Sequence, residues 1–169
     1  MTLKKIGKGT FTTAYLMDDK KTVLLKSTCP IKECMACGWY PDSYLFPEVN
    51  PTNKYNEYTM AYYPRVSSLK NTLSARQYRL YKALRALPFC SSENKHMSFH
   101  HWHDQFNSLP AEFKAEKQAL SEALDACKNY GSDIAFEISP RNIAVKGRKL
   151  VLLDCFFSIS KLQEVRANK

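Results

Sequence analysis

The chain has 169 residues, enough for one domain or a small two-lobed one, and at 44% hydrophobic and 12% aromatic it can bury a real core, which excludes wholesale disorder. No apolar run reaches the ~18 residues that a membrane helix needs, and the opening Met1-Thr2-Leu3-Lys4-Lys5-Ile6-Gly7 has no apolar stretch of the kind a secretory signal carries, so a cytoplasmic chain is expected. The net charge of +9 attracts polyanions; it is spread along the sequence without an arginine-rich tail, so nucleotide or an acidic partner is expected rather than nucleic acid.

The first half reads as strand-rich. Leu3 to Ile6 leads into Gly7-Lys8-Gly9-Thr10-Phe11-Thr12-Thr13-Ala14-Tyr15-Leu16, a pair of strands around glycines. Asp18-Asp19-Lys20-Lys21 predicts a hairpin turn, and Thr22-Val23-Leu24-Leu25-Lys26 the next strand. Pro30 suits the first turn of a short helix over 30–37. Leu45 to Val49 and Tyr55 to Tyr63 predict two more strands, joined by a turn at Asn50-Pro51-Thr52-Asn53 and closed by Pro64.

Near residue 70 the pattern changes. Ser74-Ala75-Arg76-Gln77 has the form of a capping box, followed by Tyr78, Tyr81, Leu84 and Leu87 at helical spacing and a stop at Pro88. Residues 89–108 read as irregular and polar. Within them Phe99, Trp102 and Phe106 mix with histidines, either as a cover for the core or as a partner interface. A long helix is predicted from about Pro110 to Tyr130, with Phe113, Leu120, Leu124 and Cys127 on its apolar stripe and Gly131 ending it. Ile143-Ala144-Val145, a turn at Lys146-Gly147-Arg148 and the strand Lys149 to Leu153 then lead to Asp154, and the basic tail from Lys161 reads as helical or frayed. The predicted class is α+β, with a β-rich unit over 1–66 and a helical unit over 67–169.

The six cysteines are expected to be free thiols. Cys29, Cys34 and Cys37 cluster, as do His96, His100, His101 and His103. Buried thiols and surface histidines are the plain reading, and a zinc site drawing on both clusters is the alternative.

Four features carry chemistry. Gly7 and Gly9 allow close backbone approach to a ligand. Lys26 is the one charge closing an apolar strand. Glu137 and Asn142 flank a loop before a strand, and Asp154 ends the run Leu150-Val151-Leu152-Leu153. A carboxylate and a carboxamide on either side of a tight hairpin are hard oxygen ligands suited to Mg²⁺.

In this order the features resemble the signature set of protein kinases. The chain is most similar to the small serine/threonine kinase-like proteins of short-tailed bacteriophages. Gly7 to Tyr15 resembles their glycine loop, Val23 to Lys26 the lysine strand, and Tyr58 to Val66 the fifth strand and hinge. Ile138-Ser139-Pro140-Arg141-Asn142-Ile143 resembles the catalytic loop, and Leu152-Leu153-Asp154 the approach to the D-F-G triplet.

The resemblance implies a minimal kinase-like fold, a small antiparallel lobe over a truncated helical one, with ATP and Mg²⁺ as cofactors. It implies that Gly7, Gly9 and Phe11 cover the phosphates, that Ala14, Met60 and Tyr62 meet the adenine, and that Lys26 binds phosphate with Glu33 as its partner. Asn142 and Asp154 would hold the metal, and Glu137 would stand in the place of the catalytic base. Several positions depart from the family. Glu137 replaces an aspartate, Ala135 and Phe136 stand where His and Arg are usual, Thr12 replaces the third glycine, and Asp154-Cys155-Phe156 lacks its glycine. The sequence after Asp154 has no A-P-E and no room for the helices that grip a peptide substrate. Two expectations follow: a phosphotransferase acting on Ser or Thr of host proteins, or a pseudokinase that binds and redirects a host protein, with no membrane involved in either case.

Overall fold

The computed structural model describes residues 3–87, 99–131 and 133–168. It is a mixed α+β structure built around a five-stranded antiparallel sheet and six helices. The sheet comprises β1 (Lys4–Lys8), β2 (Thr12–Leu16), β3 (Thr22–Ser27), β4 (Val49–Pro51) and β5 (Glu57–Ala61), in the order β1-β2-β3-β5-β4. The β2–β3 hairpin is closed where predicted. Asp19 accepts from the amides of Lys21 and Thr22, and Lys20 takes the left-handed conformation (φ 54°) that a short polar turn uses.

The predicted strand from Leu45 shrinks to β4. Leu45 and Phe46 are buried outside the ladder, because they pack into the larger apolar cluster of the helices rather than join the sheet. Asn50 and Pro51, expected in a turn, belong to β4. The chain reverses instead over 52–56, where Asn56 has φ 59°.

Between β3 and β4 lies α1 (Pro30–Ala36), with proline in its first turn as expected. Two short helices follow the sheet, α2 (Leu69–Thr72) and α3 (Ala75–Arg85). The Ser74 hydroxyl caps α3 by accepting from the Gln77 amide (3.3 Å). The Gln77 side chain does not close the capping box. Its amide group donates to the Tyr44 hydroxyl (2.6 Å) and its carbonyl oxygen accepts from Leu150 N (3.0 Å).

Residues 99–107, read as irregular, form α4 (Phe99–Asn107). Trp102 and Phe106 are buried, so this segment covers the core, and residues 89–98 lie outside the described residues. The predicted long helix is α5 (Lys114–Cys127), with a 3-10 turn at each end, and Gly131 ends it at φ 139°.

Two small antiparallel pairs finish the fold. β6 (Ile134–Phe136) pairs with β9 (Phe156–Ser158), and β7 (Ile143–Lys146) with β8 (Lys149–Leu152). The last helix is α6 (Ile159–Ala167). β6 and β9 are three-residue strands, too short for an alternation pattern to announce them.

Apolar packing divides into two clusters. The larger joins α1, α3, α4, α5 and the small pairs. At its centre Phe136 lies 5.0 Å from Phe106, 5.3 Å from Phe156 and 5.8 Å from Trp102, ring centre to ring centre. The smaller is Val23, Leu25, Met35, Val49 and Tyr58 beneath the sheet. No helix among the described residues is long and apolar enough to cross a membrane.

Candidate functional site

The Gly7–Leu16 hairpin is tightly closed. Gly9 N donates to Thr12 O (2.8 Å), so that amide serves the hairpin itself. Gly7 pairs with Ala14 at a shift in the β1–β2 register, and a methyl group added there would touch the Ala14 methyl at 4.0 Å. Gly9, Phe11 and Lys26 line an open depression of about 400 Å³ at the end of the sheet, together with Lys8, Thr10 and Tyr55.

Register decides where Lys26 points. Thr13 faces Lys26 across the β2–β3 ladder and Ala14 faces Leu25, and successive strand residues point to opposite sides. Lys26 therefore shares a face with Thr13 and Glu57. Ala14 shares the other face with Val23, Leu25 and Met60, over Met35 of α1. The expected adenine contacts Ala14, Met60 and Tyr62 do come together, all three packed against the smaller apolar cluster. Lys26 does not join them.

Its partner also differs from the expected one. Lys26 Nζ lies 2.9 Å from Glu57, directly opposite it on β5, and that hydrogen bond raises the lysine's pKa. Glu33 sits exposed in the first turn of α1 and is not paired with Lys26. The physical reason is distance along the chain: α1 starts four positions after Lys26 and runs under the opposite face of the sheet.

A different lysine reaches the site. Lys32 of α1 is buried, donates to the Leu153 carbonyl (2.5 Å), and places Nζ 3.4 Å from Asp154 Oδ1. Its Nζ also lies 3.8 Å from the Met35 sulfur. Asp154 Oδ1 is buried and has no hydrogen-bond partner. Sequence patterning missed Lys32 because it lies in a short segment with a polar neighbour on the chain. One signal was present: it is one of two charges in a helix otherwise made of small and apolar residues.

The remaining predicted residues converge by backbone bonds. Leu153 N donates to Asn142 O (2.8 Å), Glu137 N to Cys155 O (2.8 Å), and Asn142 N to Ser139 O (2.9 Å). The 137–142 loop is thus tied to the strand end on both sides of Asp154. Arg85 of α3 secures it further by donating to the Ile138 carbonyl (2.7 Å). Ala135 and Phe136, where charged residues are usual in the family resembled, form the buried strand β6.

The two halves of the site meet at residues 27–32. Thr28 N donates to Phe11 O (3.1 Å), which places the glycine hairpin beside the start of α1. The next residue, Cys29, has its thiol pushed up to about 11, first by burial and then by the charge of Asp154. Burial, followed by the same carboxylate, raises the Cys155 thiol as well.

Cys29 and Cys34 are buried free thiols, Cys37 is exposed, and His103 pairs with Asp125 (3.0 Å). Among the described residues no group of three or more His, Cys, Asp or Glu side chains could hold a metal ion; His96 of the zinc alternative lies outside them. No protein-family model matches the chain, and no curated protein matches it.

Proposed function

We propose that the chain is a minimal protein kinase-like phosphotransferase, transferring phosphate from ATP to a Ser or Thr hydroxyl of a host protein, in the manner of the small phage proteins it resembles. The observation that carries this reading is the clamp around Asp154. The loop bearing Glu137 and Asn142 is hydrogen-bonded to Leu153 and Cys155, and Lys32 is buried against the carboxylate. β6 and β7, one strand from each of the two small antiparallel pairs, flank that loop along the chain, which supports a reading in which the loop faces a bound nucleotide.

The residues fit a magnesium nucleotide. Asp154 Oδ1 is a buried oxygen without a hydrogen-bond donor, and Asn142, whose backbone carbonyl is bonded to Leu153 N, would supply a second hard ligand. When bound there, Mg²⁺ supplies neutralisation of charge on the phosphoryl group. The chain's own residues do the rest. Glu137 accepts the proton of the attacking hydroxyl, and the Arg85 bond to Ile138 O holds the loop so that Glu137 keeps its position. Glu137 is one methylene longer than the usual base, and a displacement of about 1 Å costs on the order of a hundredfold in rate, so turnover is slow.

A second reading, a pseudokinase that binds and redirects a host protein, is favoured by one specific observation. Lys26 is turned to the sheet face away from Ala14 and Met60 and is engaged by Glu57. Thermal melting of the full chain with and without Mg²⁺-ATP, beside Asp154→Asn, tests the nucleotide site, and transfer of labelled phosphate to a protein acceptor separates the two readings. A melting shift that Asp154→Asn removes, with labelled acceptor, supports the phosphotransferase. The same shift without label supports the pseudokinase. No shift in a folded protein refutes the phosphotransferase and favours the second reading without bound nucleotide, which a search for a host-protein partner then tests.

A further inference from the structure

Among the described residues Lys32 is the one lysine in the buried core, with 3% of its side chain exposed. Burying an ammonium costs several kcal/mol unless it is fully hydrogen-bonded. Its three protons have three neighbours: the Leu153 carbonyl at 2.5 Å, the Met35 sulfur at 3.8 Å, a weak acceptor, and Asp154 Oδ1 at 3.4 Å. The last contact is an ion pair without hydrogen-bond alignment, since Oδ1 remains unpartnered. The pair is therefore under-satisfied on both sides. A leucine or methionine would pack the same helix face without that cost, so packing does not account for a lysine here.

The pair is not sealed. The Asp154 side chain is 26% exposed, and Thr28, whose backbone N bonds to Phe11 O of the glycine hairpin, lies two residues before the start of the helix that carries Lys32. Lys26, by contrast, is 49% exposed, lies on the far face of the sheet and is already paired with Glu57.

We propose that Lys32, rather than Lys26, is the phosphate-binding lysine of this site, held by Asp154 when no nucleotide is present and donating its under-used proton to a phosphate oxygen of the bound nucleotide. The inference rests on the kinase-like reading and deepens it. It assigns to the first turn of α1 the charge that the sequence pattern assigned to the end of β3.

An acyl-phosphate derivative of ATP tests it on the wild-type full chain. A lysine Nζ beside the phosphates attacks the acyl carbon, an amide forms, the acyl–phosphate bond breaks, ATP leaves and the amine proton passes to solvent. Peptide mapping then reads which lysine carries the acyl group, with excess Mg²⁺-ATP as competitor. ATP-competed label on Lys32 is the expected result. Competed label on Lys26 with Lys32 unmodified overturns the inference while keeping the kinase-like reading. The absence of ATP-competed label on every lysine overturns both.

Binding supplies the second measurement. Lys32→Met is expected to weaken Mg²⁺-ATP about tenfold or more, the worth of one charge-assisted hydrogen bond, and to leave adenosine affinity unchanged. Lys26→Met is expected to leave both affinities within about threefold. Unchanged ATP affinity in a folded Lys32→Met overturns the inference, and an unfolded variant leaves the decision to the labelling of the wild-type chain.

Discussion

The ion pair between Arg76 of α3 and Glu116 of α5 offers the sharpest test of how the helical half is held. Glu116 has only 2% of its side chain exposed, and its two carboxylate oxygens accept from Arg76 at 2.6 and 2.9 Å and from the Tyr44 hydroxyl. Replacing Arg76 by methionine keeps the stem over Phe113, whose ring centre lies 5.2 Å from the guanidinium carbon, and strands the carboxylate. Breaking a buried pair costs about 3–5 kcal/mol. Arg76 is 40% exposed, so water screens part of its contribution, and roughly 2–3 kcal/mol is expected at pH 7. For a chain of this size that lowers Tm by about 5–10 °C.

The pH dependence fixes the mechanism. Burial alone would raise the Glu116 pKa, but the hydrogen bonds from Arg76 and Tyr44 outweigh it and hold the carboxyl below its usual value. A lowered folded pKa contributes stability above the unfolded value near ~4.3, and that stability is lost as pH falls through the folded pKa. Without Arg76 burial dominates, the folded pKa moves above the unfolded one, and the variant gains relative stability as pH falls. The gap between the two proteins should therefore narrow between pH 7 and pH 4. Urea denaturation followed by the fluorescence of buried Trp102 measures it. A gap under about 0.5 kcal/mol at pH 7, or one that does not change with pH, refutes the argument.

Three further outcomes are expected. Phe106→Ala should cost about 3–5 kcal/mol, because the ring fills the space between Phe136 and Phe156, and a urea midpoint close to wild type would contradict the packing described. On the proposed phosphotransferase reading, Glu137→Asp gives the proposed base the length usual in kinases, so phosphate transfer should rise by about tenfold, whereas a fall would show that the longer side chain suits this loop. Brief alkylation of the native protein should mark Cys37 and spare Cys29, Cys34, Cys127 and Cys155, which are buried; peptide mapping that finds Cys29 modified as fast as Cys37 would contradict the burial that raises its pKa.

Much of the architecture was legible because its signals are local. The Asp19 turn, the proline start of α1, the Ser74 cap and the Gly147-Arg148 hairpin, with φ 56° and 63°, each follow from the chemistry of a few adjacent residues. The convergence of Asn142 and Asp154 was legible for the same reason, since a single tight hairpin joins them. What could not be read was set by register and by contacts across the chain. A shift of one residue in the β2–β3 ladder would put Lys26 on the other face, and nothing in the alternation of Val23, Leu24 and Leu25, all three buried, specifies which. Lys32 meets Leu153 and Asp154 across more than a hundred residues of sequence, which no periodicity reports. The helix α4 was obscured by its histidines, whose polarity hid an apolar face formed by Trp102 and Phe106.

The placement of α1 has a practical consequence for taking the protein apart. Ile31 packs into the large cluster, Met35 into the cluster beneath the sheet, and Lys32 closes on Asp154, all within little more than one helical turn. A cut near residue 66, which the change of pattern along the sequence invites, would leave the N-terminal fragment with Ile31, Leu45 and Phe46 bare to water and the C-terminal fragment with a matching hollow. Neither piece would be a self-sufficient module. Mixed together they have the makings of a split-protein pair, with α1 as the plug whose seating restores the whole.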